Sequence, residues 1–251
     1  MVHLSVNVNK VATLRNSRGG SVPSVLEAVA TCLAAGAPGI TVHPRADQRH
    51  ITPEDVRAIS AVLKERQPHI EYNIEGDPRP ELLDLVRDVR PDQCTLVPVM
   101  PGEITSQAGW QPGRSTDCLP DVTRDLRSRG IRVSLFVDPQ PGPIRWAASI
   151  GADRVELYTE PFARAFERGL DEGRASFGVY AEAARLAHSL GLGINAGHDL
   201  DQDNLTIFRT LPYLDEVSIG HAIMSRALFV GLDAVVREYL AVLAPAAEPV
   251  A

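Results

Sequence analysis

Eight short runs rich in valine, isoleucine and leucine alternate with helical patterns along the chain. They show little polar alternation, which is typical of parallel strands covered on both faces. The runs are Leu4–Val8, Gly39–Val42, Ile70–Ile74, Cys94–Pro98, Arg132–Val137, Arg154–Tyr158, Gly193–Asn195 and Glu216–Ile219. A chain of 251 residues has the length of one barrel with eight strand–helix units. The pattern predicts an α/β fold, a single (β/α)8 TIM barrel over residues 1–243.

Helical periodicity fills the intervals between these runs. The patterns cover Val22–Ala35, Pro53–Arg66, Arg79–Val89, Asp117–Arg129, Pro143–Ile150, Pro161–Leu190, Asp201–Leu211 and Ala222–Ala241. The sixth is interrupted around Gly169–Gly173, which predicts an extra helix. The loop Val99–Arg114, rich in glycine and proline, is long for a strand-to-helix connection and is a candidate lid. The tail 244–251, rich in alanine and proline, is predicted to be disordered.

Composition restricts the partners of this chain. A formal net charge of −7 argues against nucleic acid or an anionic membrane as the main partner. Cys32, Cys94 and Cys118 have neither metal-ligand spacing nor a disulfide framework, so we expect no zinc and a reducing cytoplasm. No apolar run reaches the roughly eighteen residues of a membrane span. Small anionic substrates remain possible through local charge.

Two Gly-His pairs, Gly197-His198 and Gly220-His221, each follow an apolar run near the end of the chain. Glycine lets a ligand approach the backbone, and the N–H groups that follow can receive an anion at a helix N-terminus. A lone Gly-His pair is more often a plain turn with a surface histidine. Two pairs after consecutive strands match the phosphate-binding arrangement of a (β/α)8 barrel, so this pattern predicts an enzyme site.

The other predicted strands also deliver polar side chains to the C-terminal edge, where such barrels carry catalysis. These are Asn7, Asn9 and Lys10, then Arg15 and Arg18 in a glycine-rich loop, with His43, Arg45, Arg49, His50, Glu75, Thr105, Glu156, Tyr158, His198, Asp199, Gly220 and His221. Arginines and histidines converging with glycines suit two phosphates. The carboxylates and histidines suit repeated proton transfers. We expect burial against neighbouring arginines to set the pKa values of Glu75 and Glu156.

Simpler interpretations compete with these roles. The loop histidines and arginines fit a solvated surface, and each glutamate fits a structural ion pair. Tyr158 and Trp110 are interpreted as packing residues, and Lys10 also fits a strand-end lysine whose stem lies along apolar surface.

Several motifs taken together resemble the pyridoxine 5′-phosphate synthase family. They are the run from Val6 to Gly19, Gly39–Arg45 with Arg49-His50-Ile51, Asn73-Ile74-Glu75-Gly76, Leu96-Val97-Pro98, Ser134–Asp138, Val155–Thr159, Asn195-Ala196-Gly197-His198 and Ile219-Gly220-His221-Ala222. The resemblance implies a (β/α)8 barrel with additional helices that assembles into homo-octamers. It implies condensation of 1-deoxy-D-xylulose 5-phosphate with 3-amino-2-oxopropyl phosphate, without metal or organic cofactor, to pyridoxine 5′-phosphate, phosphate and water.

Residue by residue, the resemblance implies that His43 and Glu75 accept protons, His198 donates one and Glu156 stabilises the transition state. It implies that the deoxyxylulose phosphate is contacted by Arg45, His50 and Thr105. The implied contacts to the amino-ketone phosphate are Asn7, Arg18, Asp199, Gly220 and His221.

The chain departs from the family pattern at two places. Many relatives have Asn-x-Asp-His where this chain has Asn7-Val8-Asn9-Lys10, so Asn9 and Lys10 are only possible substrate contacts. Asp199 replaces a glycine of some relatives, and its backbone N–H can still serve.

Two rival functions stay open at this stage. A Schiff-base aldolase would use Lys10 as its nucleophile, although catalytic lysines usually come from strands nearer the middle of such barrels. A non-catalytic phosphometabolite-binding barrel would keep both phosphate turns, but it would not require His43, Glu75 and His198.

Overall fold

The computed structural model describes residues 2–66, 68–99, 107–113 and 116–245. Within them, eight parallel strands close into a barrel in chain order, with β1 also paired to β8. The strands are β1 (His3–Asn7), β2 (Gly39–Val42), β3 (Glu71–Gly76), β4 (Gln93–Leu96), β5 (Arg132–Val137), β6 (Arg154–Leu157), β7 (Gly193–Ala196) and β8 (Leu214–Ile219). The predicted (β/α)8 TIM barrel is confirmed, with strand ends shifted by one or two residues from the sequence patterns.

Helices surround this barrel. They are α1 (Asn9–Asn16), α2 (Val25–Ala34), α3 (Pro53–Lys64), α4 (Pro80–Val89), α5 (Leu119–Ser128), α6 (Pro141–Ser149), α7 (Glu160–Arg168), α8 (Leu170–Ser189), α9 (Gln202–Phe208), α10 (His221–Val230) and α11 (Leu232–Leu243). The extra helix in the sixth unit is confirmed, since α7 and α8 meet at Gly169. None of the described helices has the length and apolar character needed to cross a membrane.

Two helix predictions were wrong. Arg15, predicted to lie in a glycine-rich loop, is part of α1, whereas Arg18 lies in the turn that follows this helix. The first N–H of α1, from Asn9, donates to the side-chain oxygen of Asn7 (3.0 Å). The single helix predicted over Ala222–Ala241 is divided into α10 and α11 at Gly231. The backbone there has φ +89°, a conformation that glycine adopts without a Cβ penalty.

The barrel interior is polar. The inward side chains alternate with apolar ones that pack outward against the helices, such as Leu4, Ile40 and Ile74. Asn195 of β7 donates to Gln93 of β4 (3.3 Å), a hydrogen bond that crosses the barrel. The hydrophobic core therefore lies between the strands and the helices.

Part of the predicted lid loop is fixed to the barrel. The indole N–H of Trp110 donates to the Leu96 carbonyl (2.9 Å), and its backbone N–H donates to the Phe136 carbonyl (2.8 Å). Trp110 is buried, as predicted for a packing residue. Residues 100–106 and 114 of the loop lie outside the described residues, as do residues 246–251 of the tail.

Candidate active site

A cavity of about 470 Å³ opens at the C-terminal ends of the strands. Its volume lies within the range of small-molecule sites. The residues that line it are Asn7, Asn9, Lys10, Thr13, His43, Arg45, Arg49, His50, Glu75, Val97, Phe136, Glu156, Gly197, His198, Asp199, Ser218, Gly220 and His221. The fold thus brings together residues from the ends of all eight strands.

Two predicted contacts are not part of this lining. Arg18 follows the end of α1 and is exposed. Thr105 lies outside the described residues. Arg15 also points elsewhere, because its guanidinium pairs with Asp55 at the start of α3 (2.6 Å) and fastens α1 to that helix.

Three buried carboxyl groups lie in and beneath the cavity, on Glu75, Glu156 and Glu216. Burial raises the pKa of Glu75 to about 8, and the charge of Glu216 acts in the same direction. Burial also raises the pKa of Glu156 well above its usual range, followed by the charge of Glu75. The expectation that arginines set these values was wrong, because the effective neighbours are other carboxylates. Burial and the repulsion between neighbouring carboxylates therefore both favour the protonated forms of these groups.

Polar contacts around these carboxyls are sparse. Asn7 donates to Glu75 over a long 3.4 Å. Oε2 of Glu156 is buried without a hydrogen-bond partner among the described residues. An unpaired buried polar atom is costly to the fold, so its presence in a residue that lines a cavity indicates a group kept for a ligand.

His43 and His50 form the opposite kind of group, since burial lowers their pKa values. Burial lowers the pKa of His43 to about 3, helped by the charges of His50 and Arg45. Burial lowers that of His50 to about 4, again with Arg45. Their rings lie 5.9 Å apart. Both imidazoles are therefore neutral near pH 7.

His198 follows β7 and lies against an aromatic wall. The ring centroids of Tyr158 and Phe136 lie 5.3 Å and 6.2 Å from that of His198. Nδ1 of His198 lies 3.0 Å from the Asp199 carboxylate. Tyr158 is thus a packing residue, as predicted, but one that contacts a candidate catalytic ring.

Gly197-His198 is confirmed as a strand-to-loop junction, whereas Gly220-His221 joins β8 directly to α10, which begins at His221. The reason for glycine also differs from the predicted one. A Cβ at Gly197 would lie 2.0 Å from the Ser218 carbonyl oxygen, and one at Gly220 would lie 2.9 Å from that of Asn7. Glycine is needed here because neighbouring strand ends approach closely, not only because a ligand does. The contact keeps His198 and His221 on adjacent edges of the cavity.

Two helices begin at the cavity, α1 and α10. Neither has an acidic residue in its first turn or a side-chain hydrogen bond to its first N–H groups from the N-cap residue. Helix N-termini of this kind favour anions. The sequence analysis anticipated α10 but missed α1, and with it a second positive helix end. No cluster of three or more acidic, histidine or cysteine side chains able to hold a metal occurs among the described residues.

Comparison with known proteins agrees with the motifs. Residues 4–245 match the family model of pyridoxal phosphate biosynthesis protein PdxJ. The chain belongs to the PdxJ family. A relative from Christiangramia forsetii, named pyridoxine 5′-phosphate synthase, is 51% identical over 97% of this chain and 100% of its own. One of the same name from Leptospira biflexa is 50% identical over 97% of both chains.

A solved structure shares the fold at low sequence identity. Phosphoribosylanthranilate isomerase from Thermotoga maritima superposes with a TM-score of 0.61 at 14% identity, over 97% of this chain and 98% of that one. This likeness concerns the barrel alone. The resemblance to the synthase family predicted from the sequence is confirmed by the PdxJ family match and by the relatives that share its name.

In this PdxJ chain, the departure at β1 has a structural use. The Asn9 side chain accepts the backbone N–H of His43 (2.9 Å), which ties the end of β1 to the end of β2. Lys10 lines the cavity from the first turn of α1. Asn9 therefore positions the His43 backbone, and Lys10 is the residue of the pair whose charge is available to a ligand.

Proposed function

We propose that this PdxJ barrel is a pyridoxine 5′-phosphate synthase that condenses 1-deoxy-D-xylulose 5-phosphate with 3-amino-2-oxopropyl phosphate. The observation that carries the proposal is the division of protons inside one cavity. Burial keeps His43 neutral, raises the pKa of Glu75 to about 8 so that this carboxyl exchanges its proton close to neutral pH, and favours the protonated form of Glu156. The 51% identical relative carries the synthase name.

The chemistry needs both kinds of group. The amine of one substrate attacks the ketone of the other and forms an imine without help from a cofactor. Loss of water and phosphate and closure of the ring then require a base to remove each proton and an acid to protonate each leaving oxygen. His43 and the ionised fraction of Glu75 remove protons, His198 supplies them, and Glu156 stabilises the charge that develops between these steps. The sum yields pyridoxine 5′-phosphate, one phosphate and two waters.

Binding both substrates in a fixed orientation also accelerates the condensation. We assign the deoxyxylulose phosphate to the side of Arg45 and His50, with Thr105, and the amino-ketone phosphate to Asn7, Asp199, Gly220 and His221, with Arg18. The N-termini of α1 and α10 add backbone donors for anions. Holding both substrates by their phosphates converts a bimolecular encounter into an oriented one, which is worth several kcal/mol, up to about 7–11.

Glu75→Gln tests the proposal. The amide keeps the shape of the side chain but accepts no proton, so turnover should fall on the order of a hundredfold while both substrates still bind. Product is followed by the absorbance of pyridoxine 5′-phosphate and binding by calorimetry. Wild-type turnover in this variant would refute the assignment of Glu75.

Two controls separate the rival functions. A binding-only barrel would form no product in a single turnover of the wild-type protein with both substrates. A Schiff-base aldolase would gain mass on the Lys10 peptide after borohydride treatment with substrate. We expect product in the first experiment and no added mass in the second.

We also propose that the protein is cytoplasmic and works as a homo-octamer built from dimers, with residues 1–243 as the folded unit. Apolar side chains exposed on neighbouring helices support self-association: Leu228 and Phe229 of α10, 73% and 88% exposed, and Leu14 of α1. A groove lined by Leu14 and Leu228 adjoins the cavity, since Lys10 and His221 line both. Light scattering should give eight chains for the wild type and a smaller species for Phe229→Asp.

A further inference from the structure

The side chain of Asp199 makes a contact that substrate binding through its backbone does not use. Its Oδ2 lies 3.0 Å from Nδ1 of the neighbouring His198. We infer that the Asp199 carboxylate is a positioning residue that holds a proton on Nδ1 of His198, so that Nε2 is the nitrogen that gives its proton to the substrate. This inference rests on the proposed function and adds a residue to its proton donor.

The protonation of the contact follows from the charge on Asp199. The hydrogen bond from His198 lowers the pKa of this carboxyl below its usual range, with the charges of Arg164 and His221 in the same direction and burial opposed. An ionised carboxylate only accepts hydrogen bonds. Nδ1 must therefore be the donor, and a partner on one ring nitrogen decides which nitrogen exchanges protons.

The surroundings hold the ring in place for this contact. Tyr158 packs edge-on against His198, and its hydroxyl donates to the Glu160 carboxylate (2.5 Å). The hydroxyl of Thr159 donates to the His198 carbonyl. Other charged and titratable groups face this pair of residues. Arg164 and His221 act on the Asp199 carboxylate, and Glu160 and Asp138 act on the Tyr158 hydroxyl. Asp199 makes a side-chain hydrogen bond to the imidazole.

The backbone gives a second, independent reason. Asp199 has φ +62°, the left-handed conformation that glycine adopts at lower cost than aspartate. The contact of its side chain with His198 offsets part of this cost. The proton balance follows: the donating ring carries a proton on each nitrogen, the Nε2 proton passes to the leaving oxygen of the substrate, and the neutral ring that remains keeps its proton on Nδ1.

The test measures the tautomer directly. In protein labelled with ¹⁵N-histidine, the His198 signals, assigned with His198→Gln, should show Nδ1–H on the neutral ring of the wild type. Asp199→Gly keeps the backbone N–H and relieves the left-handed conformation, yet it should lose the fixed Nδ1–H. Its kcat should fall about tenfold, the lower end of the 10- to 100-fold loss typical when a residue that orients a metal-bound imidazole is replaced. The KM values for both substrates should stay within about threefold. Asp199→Asn should lie between the two.

The control is Asp203→Asn, which removes an exposed charge on α9 and should change neither the tautomer nor kcat. Nδ1–H retained in Asp199→Gly, or a tenfold change in KM with an unchanged kcat, would overturn the inference. The spectra require no turnover, so the two proposals can fail separately. A wild-type protein that makes no product would refute the proposed function, and the NMR spectra would still show whether Asp199 fixes the proton on Nδ1 of His198.

Discussion

Acid should destabilise this barrel through His43. The pKa of its imidazole is about 3 in the folded protein, where burial excludes the charged form, against 6.5 for an ordinary histidine. Below pH 6.5 the unfolded chain binds a proton that the folded chain does not, so this contribution to stability is lost as the pH falls from 6.5 towards 3. At pH 5, 1.5 pH units below 6.5, the loss is about 2 kcal/mol.

The buried carboxyls act in the opposite direction. The folded-state pKa of Glu75 is raised to about 8 from an ordinary 4.5, so its neutral form favours the fold most at low pH. That contribution is lost as the pH rises through 8. The pH dependence of the wild type is therefore a sum of opposing terms, and only a variant isolates the histidine.

His43→Gln is that variant. Urea unfolding at pH 8 and pH 5 gives the free energy of unfolding of the wild type and of the variant. Between pH 8 and pH 5 the wild type should lose about 2 kcal/mol more of this free energy than the variant does. His3→Gln, at the exposed first residue of β1, is the control and should follow the wild type. A wild-type minus variant difference constant within about 0.5 kcal/mol, the precision of such extrapolations, would refute the buried neutral state of His43.

Three further results are expected. Gly197→Ala places a methyl group 2.0 Å from the Ser218 carbonyl oxygen and should lower the free energy of unfolding, measured by thermal unfolding, by at least about 3 kcal/mol. Gly178→Ala, in the middle of α8, places its methyl group within 4 Å of no atom and should raise that free energy by about 0.5–1 kcal/mol. Lys10→Arg should keep part of the activity, while Lys10→Met should raise KM for the deoxyxylulose phosphate; equal abolition would indicate an imine at Lys10. If ionised Glu75 is a base, kcat/KM should rise with pH towards about 8, and a rate flat from pH 6 to 8 would contradict this.

The architecture could be predicted because short-range patterns in the sequence indicate it. Apolar strand runs at regular spacing and the two Gly-His pairs were enough to predict the barrel and the edge that carries the site. The helix α1 was missed because its sequence gives no ordinary start signal. It begins after Val8, which has no capping side chain, and its first N–H is satisfied by Asn7 from two residues earlier.

The candidate site was predicted as a set of residues but not as an electrostatic unit. Glu75 and Glu156 were found because each stands at a strand end. The raised pKa values of these two carboxyls depend on closure of the barrel, which brings carboxyls from β3, β6 and β8 together. Glu216 was absent from the predicted site because it begins an apolar run, and nothing local shows that it points inward.

Glu216 also shows how the layer beneath the cavity acts on the chemistry above it. This carboxyl does not line the cavity, yet its charge is the second cause of the raised pKa of Glu75. Glu216 is in turn bound by Asn195 (3.3 Å) and lies 3.9 Å from Arg154, which opposes the rise in its own pKa. An apolar layer at this level would leave Glu75 raised by burial alone. The polar interior is therefore both a structural layer of the barrel and the source of part of the proton affinity of its candidate base.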